Sequence, residues 1–161
     1  MDGCDCRHMK VIITGGKNTG KSTFLYELCQ NCQCSGVICL PVFENGVKIG
    51  SDAINLRNGK KKIFARVKNK ANFEGIETNE YIISREGMKH AIEAIEEGIG
   101  ENLLVIDEIG HIEMKNDGYY EVIKKAMQQE NMIVVVRKSI LNDFLKKFPE
   151  KYFILEMNGI A

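Results

Sequence analysis

Gly15-Gly16-Lys17-Asn18-Thr19-Gly20-Lys21-Ser22 spells G-x-x-x-x-G-K-[ST], directly after the short apolar run Val11-Ile12-Ile13-Thr14. A strand, this loop and then a helix is the context in which the motif forms a phosphate-binding loop. The glycines let the backbone bend tightly with several N–H groups turned inward, and the first turn of the following helix adds the positive end of its dipole. The helix is legible in Phe24, Leu25 and Leu28, which recur at helical spacing. The stretch Gly15 to Thr23, with Thr23 just beyond the motif, is therefore the expected nucleotide-binding segment. Within it, Lys21 is placed to reach the β- and γ-phosphates, and Ser22 to offer its hydroxyl to Mg²⁺.

The rest of the chain alternates between strand and helix patterns. Gly36 to Phe43 reads as a second strand, and Pro41 places it near an edge or ends it early. Between Gly46 and Val67 the pattern shortens, and Ile54-Asn55-Leu56 and Ile63-Phe64-Ala65 flank a turn at Asn58-Gly59, which predicts an inserted β-hairpin. The charge run Lys60 to Lys62 at that turn reads as solvated, and residues 68–80 read as a polar loop near the nucleotide. Ser84 is placed to cap a helix whose apolar face is Met88, Ala91, Ile92 and Ile95. Leu103 to Ile106 is a strand too apolar to alternate, as in a parallel sheet covered on both faces. Asp117 can cap a helix carrying Tyr119, Val122, Ile123, Ala126 and Met127; Met132 to Val136 is a strand. Ser139 starts a helix striped with Leu141, Phe144, Leu145 and Phe148 that Pro149 ends, and Tyr152 to Leu155 supplies the last strand. The expected architecture is α/β, a mostly parallel sheet with helices on both faces.

Composition narrows the function. The 161 residues hold 22 Lys plus Arg against 22 Asp plus Glu, so no basic excess draws the chain to nucleic acid. The longest strongly apolar stretches are strand-length and the first residues contain no apolar targeting segment, which points to the cytoplasm and away from membranes. Residues 9–161 read as one domain, and residues 1–8 as a disordered extension, because Met9-Lys10 would also serve as a start. Six cysteines fall in the first quarter of the chain. Cys29-x-x-Cys32-x-Cys34 and Cys4-x-Cys6-x-His8 have ligand-like spacing, but neither completes a paired metal framework, so they read as reduced thiols, with Cys29 closing a helix and Cys39 packed in a strand.

The strand at 103–106 delivers Asp107-Glu108 to the carboxyl edge of the sheet, where open α/β folds bind ligands. Asp107 is suited to hold Mg²⁺, which takes one or two protein carboxylates and keeps several waters. Glu108, diverging from it, is suited to polarise an attacking water, so Lys21 and Glu108 are the candidate catalytic pair. Two rivals use the same residues. Asp107-Glu108-Ile109-Gly110 fits a GTPase D-x-x-G, but the guanine-reading candidate Asn69-Lys70-Ala71-Asn72 precedes it instead of following, and ends in Asn where a carboxylate is needed. A nucleotide or small-molecule kinase must exclude water from the γ-phosphate, against which a water-activating Glu works. Arg137 and Lys138 follow a strand ending at the same edge and are further candidates for contacting phosphate.

These blocks resemble the small nucleoside-triphosphatase family of thermostable prokaryotic enzymes and their cancer-related animal homologue. The resemblance rests on Lys10 to Phe24, on Asn45 to Arg66 with Phe64-Ala65-Arg66, and above all on Val105-Ile106-Asp107-Glu108-Ile109-Gly110-His111-Ile112-Glu113. It spans most of residues 9–137. It implies a P-loop NTPase fold with Walker A and Walker B motifs, and Mg²⁺-dependent hydrolysis of ATP, GTP and other nucleoside triphosphates with broad base tolerance. His111 stands where the family usually has Lys, Cys39 to Glu44 lacks a basic residue usual before the hairpin, and the chain stops at Ala161 without the further helix common in relatives. Such departures also fit a nucleotide-dependent switch that hydrolyses slowly to time a protein partner.

Overall fold

The computed structural model describes residues 9–158. Strand β1 (Lys10–Gly15) runs into the phosphate loop, and helix α1 (Lys21–Cys29) leaves it. Strands β2 (Ser35–Glu44), β3 (Val47–Asn55), β4 (Lys61–Val67), β5 (Gly75–Glu77) and β6 (Tyr81–Ser84) follow, then helix α2 (Arg85–Gly98). Strand β7 (Leu104–Ile109), the short helix α3 (His111–Met114), helix α4 (Tyr120–Ala126) and strand β8 (Met132–Arg137) come next. A 3₁₀ turn at Lys138–Ile140, helix α5 (Leu141–Lys147) and strand β9 (Tyr152–Met157) complete the order.

The strands form one sheet in the order β5-β6-β4-β3-β2-β7-β8-β1-β9. From β2 to β9 every pairing is parallel; from β2 outward to β5 every pairing is antiparallel. The continuous apolar strands are explained by two covered faces, because successive residues point to opposite sides. Ile12, Ile106 and Val134 pack with Ala91, Ile95, Val122, Ile123 and Phe144 from α2, α4 and α5. Their neighbours Ile13, Val105 and Ile133 pack under Leu25 and Cys29 of α1. Each fully buried aliphatic side chain of this set contributes about 1.5–3 kcal/mol.

Local signals predict several element ends. Ser84 caps α2, its side chain accepting from the Gly87 N–H at 3.1 Å, a contact worth about 1 kcal/mol. A Cβ on Gly87 would sit 2.0 Å from the Ile63 carbonyl oxygen, so glycine lets α2 lie directly on β4. The turn between β3 and β4 spans the expected Asn58-Gly59, closed by the Gly59 N–H donating to the Asn55 carbonyl at 2.7 Å.

Other expectations need correction. The hairpin is part of a four-strand antiparallel extension, since residues 68–80 contain β5 and lead into β6. Three- and four-residue strands carry too few residues to show a period. Pro41 neither ends β2 nor puts it at an edge: β2 pairs with β3 as far as Glu44, while its pairing with β7 covers only Ser35 to Val37, so no ladder bond is asked of Pro41 on that side. Asp117 does not cap α4; its carboxylate accepts from the adjacent Gly118 N–H, and the residue before α4 is Tyr119. Ser139 lies inside the 3₁₀ turn, and α5 starts at Leu141. At the β9 edge Phe153, Ile154 and Leu155 are exposed. The expectation for residues 1–8, and for Cys4, Cys6 and His8, lies outside the described residues.

Candidate active site

Three parallel strands deliver the site to one edge of the sheet. β1 ends in the phosphate loop, β7 in Asp107-Glu108 and β8 in Arg137, and the register sets Gly15 beside Arg137. The loop needs its glycines: Gly20 has φ 81°, and a Cβ on Gly15 would lie 2.4 Å from the Met157 carbonyl oxygen of β9. Asn18 takes φ 56°, a left-handed conformation that Asn tolerates better than most residues.

Lys17 to Thr23 line a pocket of about 490 Å³ together with Asp107, Glu108, Lys48, Tyr81 and Arg137. Gly15 and Gly16 line the adjoining cavity of about 890 Å³ and not this one; the Lys21 ammonium donates to the Gly16 carbonyl at 2.6 Å and to the Thr19 hydroxyl at 3.2 Å. Burial lowers the Lys21 pKa from the ordinary lysine value, against the pull of Asp107 and Glu108. Lys17 donates to Glu80 at 3.1 Å, an exposed pair that ties the loop to the start of β6.

Asp107 is buried, with a relative exposure of 1 %. One carboxylate oxygen accepts from the Cys39 N–H at 2.9 Å, the other from the Glu108 N–H at 2.7 Å. Burial, followed by the neighbouring Glu108, raises its pKa to about 6, while contact with Ser22 favours the ionised form. The structure thus brings Ser22 and Asp107 together as the sequence predicts. Neither carboxylate oxygen of Asp107 has a cationic hydrogen-bond partner among the described residues; its nearby positive charge is the Lys21 ammonium, and the Ser22 hydroxyl lies beside it. That donor set fits a hard divalent cation, which takes oxygen ligands.

Glu108 departs from strand geometry. Its φ is 66°, and the β7–β8 register breaks between Ile106 and Ile109. A non-glycine residue in this region costs on the order of 1 kcal/mol or more and is found preferentially at functional sites. The break turns the half-buried Glu108 toward the pocket while Asp107 stays buried beneath it.

Glu113 carries no role in the sequence reading. It is 2 % exposed, and its two oxygens accept from the Gly110 N–H at 2.7 Å and the Tyr119 N–H at 3.0 Å. It therefore buttresses the turn that follows Glu108; burial raises its pKa to about 7. The signal available was its place three residues after Gly110, where an acid can close the first turn of a helix. Lys48 and Tyr81 were missed as well, because β3 and β6, which carry them, reach the pocket only through the sheet extension. The Lys48 ammonium lies 6.0 Å from the Tyr81 ring centre.

Of the two basic candidates, Lys138 pairs with Glu156, whereas Arg137 is half-buried, lines the pocket and has no hydrogen-bond partner among the described residues. Asn69 to Asn72 do not line the pocket; Lys70 pairs with Glu44 at 2.8 Å. His111 is exposed at the start of α3. Cys29 closes α1 and Cys39 is buried in β2, while Cys29, Cys32 and Cys34 line a separate cleft of about 390 Å³ with Arg57 and Glu101.

A glycine-rich loop between a parallel strand and a helix, facing two carboxylates at the end of another parallel strand, defines a P-loop nucleotide-binding α/β protein. The NTPase family profile matches residues 10–158, and the chain belongs to that family. It is 25% identical over 159 residues to the nucleoside-triphosphatase THEP1 of Archaeoglobus fulgidus, covering 93% of this chain and 92% of the relative. With the nucleoside-triphosphatase THEP1 of a Thermotoga species it shares 27% over 155 residues, covering 93% and 87%. The crystal structure of THEP1 from Aquifex aeolicus superposes with a TM-score of 0.72 at 20% identity, covering 93% of this chain and 90% of that one. The solution structure of a human cancer-related nucleoside triphosphatase superposes at 0.66 and 16%, covering 93% and 88%. The chain is accordingly a nucleoside-triphosphate phosphatase. Among the described residues no helix is long and apolar enough to cross a membrane.

Proposed function

We propose that this protein is a Mg²⁺-dependent hydrolase of ATP, GTP and other nucleoside triphosphates, releasing the diphosphate and inorganic phosphate, with little discrimination between bases. The observation that carries the reading is the meeting of Lys21, Ser22, Asp107 and Glu108 around one pocket beside the phosphate loop. In this reading the backbone N–H groups of Gly15 to Thr23 cradle the phosphates, and Lys21 neutralises the β- and γ-oxygens. Ser22 and Asp107 would hold Mg²⁺, which supplies charge neutralisation at the β- and γ-phosphates. Glu108, placed at the pocket by its left-handed backbone, orients a water in line with the γ-phosphorus and takes its proton. Arg137, lacking a partner of its own, meets the charge that spreads over the equatorial oxygens as the β–γ bridge breaks. A site of this kind acts on the triphosphate, so base tolerance follows from contacts confined to the phosphates.

The test is phosphate release from ATP, GTP, CTP and UTP with and without Mg²⁺. Release from all four, dependent on the cation, is expected. Failure to release phosphate from any of them in the presence of Mg²⁺ overturns the reading.

A further inference from the structure

The β2–β3 hairpin overhangs the edge of the sheet at which the phosphate loop lies. β2 is paired with β7 only from Ser35 to Val37 and then runs on to Glu44 against β3. Its residues Cys39, Pro41 and Phe43 line the phosphate pocket and carry no charge. The ladder sets Lys48 of β3 opposite Phe43, and opposed residues of an antiparallel pair share a face, so Lys48 lines the same pocket. In the sheet, β7 with Asp107 and Glu108 lies between β3 on one side and β8 and β1 on the other, which end in Arg137 and the phosphate loop. Lys48 therefore reaches the site from the side opposite to Lys21 and Arg137.

The neighbouring lysines are committed to carboxylates: Lys17 to Glu80, Lys70 to Glu44 and Lys138 to Glu156. Lys48 is half-buried and has no carboxylate partner among the described residues; its ammonium lies over the Tyr81 ring, 6.0 Å from the centre. Such a contact, at the limit of about 6 Å for cation–π attraction, steadies the ammonium without neutralising it. Burial lowers the Lys21 pKa, and the like charges of Arg137 and Lys48 act in the same direction, so three cations lie within Coulombic reach in one space. A polyanion set between them turns that repulsion into attraction. Hydrolysis as described above uses Lys21 and Arg137 and leaves Lys48 without a role.

We propose that Lys48 is a further catalytic residue, which donates to a γ-phosphate oxygen from the β3 side and makes the site favour a triphosphate over a diphosphate. The inference rests on the phosphate pocket binding nucleotide as described under the proposed function. With Lys21 on one side and Lys48 on the other, the terminal phosphoryl group is held between two ammonium groups while charge spreads over its equatorial oxygens. A diphosphate lacks that group and leaves Lys48 over Tyr81, so the product forfeits a contact that the substrate makes.

The experiment is calorimetric titration of the full chain, with Mg²⁺, by ADP and by the β,γ-imido analogue of ATP, for the parent, Lys48→Met and Lys48→Arg. Methionine keeps an apolar stem against Tyr81 and removes the charge; Lys48→Gln serves the same comparison where the methionine variant does not fold. Loss of one charge-assisted hydrogen bond should weaken the analogue about tenfold or more in Lys48→Met, with ADP staying within about twofold of the parent. Lys48→Arg should recover most of the analogue's affinity. Single-turnover hydrolysis of ATP should slow by about 10²-fold in Lys48→Met and return toward the parental rate in Lys48→Arg. Unchanged affinity for the analogue in Lys48→Met overturns the proposal, as does an equal loss for the analogue and ADP, which a merely structural role would give. Binding is read without turnover, so a parent that binds the analogue but releases no phosphate from ATP counts against the hydrolase reading and leaves the Lys48 comparison intact.

Discussion

Glu113 couples the stability of the fold to pH in a direction opposite to that of a salt-bridged carboxylate. Its pKa rises from the ordinary 4.5 to about 7 because burial disfavours the charged form more than the N–H groups of Gly110 and Tyr119 favour it. Between those two pH values the folded chain holds a proton that the unfolded chain has released. Stability must therefore fall as pH rises through this window. At about 1.36 kcal/mol for each pKa unit of difference, the full swing is about 3 kcal/mol, of which about 2.5 kcal/mol falls between pH 5 and pH 8. That is a large share of the roughly 5–15 kcal/mol by which a domain is stable. Asp107, raised to about 6, adds a slope of the same sign in the absence of a bound cation. Urea unfolding at pH 5 and pH 8 with the parent chain and Glu113→Gln isolates the Glu113 contribution. The amide cannot titrate, so its pH dependence should be shallower by about 2.5 kcal/mol whatever its stability at either pH. Superimposable pH dependences for the two chains would refute the reasoning.

Lys21→Ala should leave the melting temperature nearly unchanged, since the ammonium contacts only its own loop, yet weaken triphosphate binding by about 2 kcal/mol or more; unchanged affinity by calorimetry contradicts the phosphate-loop assignment. Glu108→Gln keeps size and shape but removes the proton acceptor, so single-turnover hydrolysis should slow by about 10²–10⁴-fold with nucleotide affinity preserved, and a parental rate would remove Glu108 from the chemistry. Arg137→Ala should lower kcat by about 10²-fold or more, whereas Lys138→Ala, which breaks an exposed pair with Glu156, should leave kcat in place; equal effects from the two would mean that neither reads the phosphates.

The comparison of sequence with structure separates what is local from what is not. The phosphate loop, α1, the Ser84 cap and the buried strands were legible because each is encoded within a few consecutive residues: a glycine pattern, a hydroxyl before a helical stripe, a run of aliphatics. The same holds for the meeting of Ser22 with Asp107, since two parallel strands that both end in polar residues deliver them to one edge. What escaped was set by partners distant in sequence. β5 and β6 exist because β4 offers an open edge, and nothing in residues 75–84 alone distinguishes them from loop. The Cys39 N–H that holds Asp107 comes from a strand 68 residues away. Glu113 stands in the sequence only as the end of the Val105 to Glu113 block, with no role of its own, and only the fold that closes over it shows one.

Glu108 shows the limit most clearly. Alternation along a strand predicts that it diverges from Asp107, and it does, but by a left-handed residue and a broken register that no propensity announces. Strain of that kind persists only where surrounding contacts over-determine it. Here those contacts are the Glu108 N–H held by Asp107 on one side and the Gly110 N–H held by Glu113 on the other. Two buried acids thus fix the backbone on either side of the residue assigned to the water. Both have raised pKa values, Asp107 to about 6 and Glu113 to about 7, so Asp107 takes up a proton only in mildly acidic solution while Glu113 does so near neutrality. Below about pH 6 a cation at Ser22 and Asp107 would keep Asp107 ionised and accepting, which in that range ties the posture of Glu108 to occupation of the phosphate pocket.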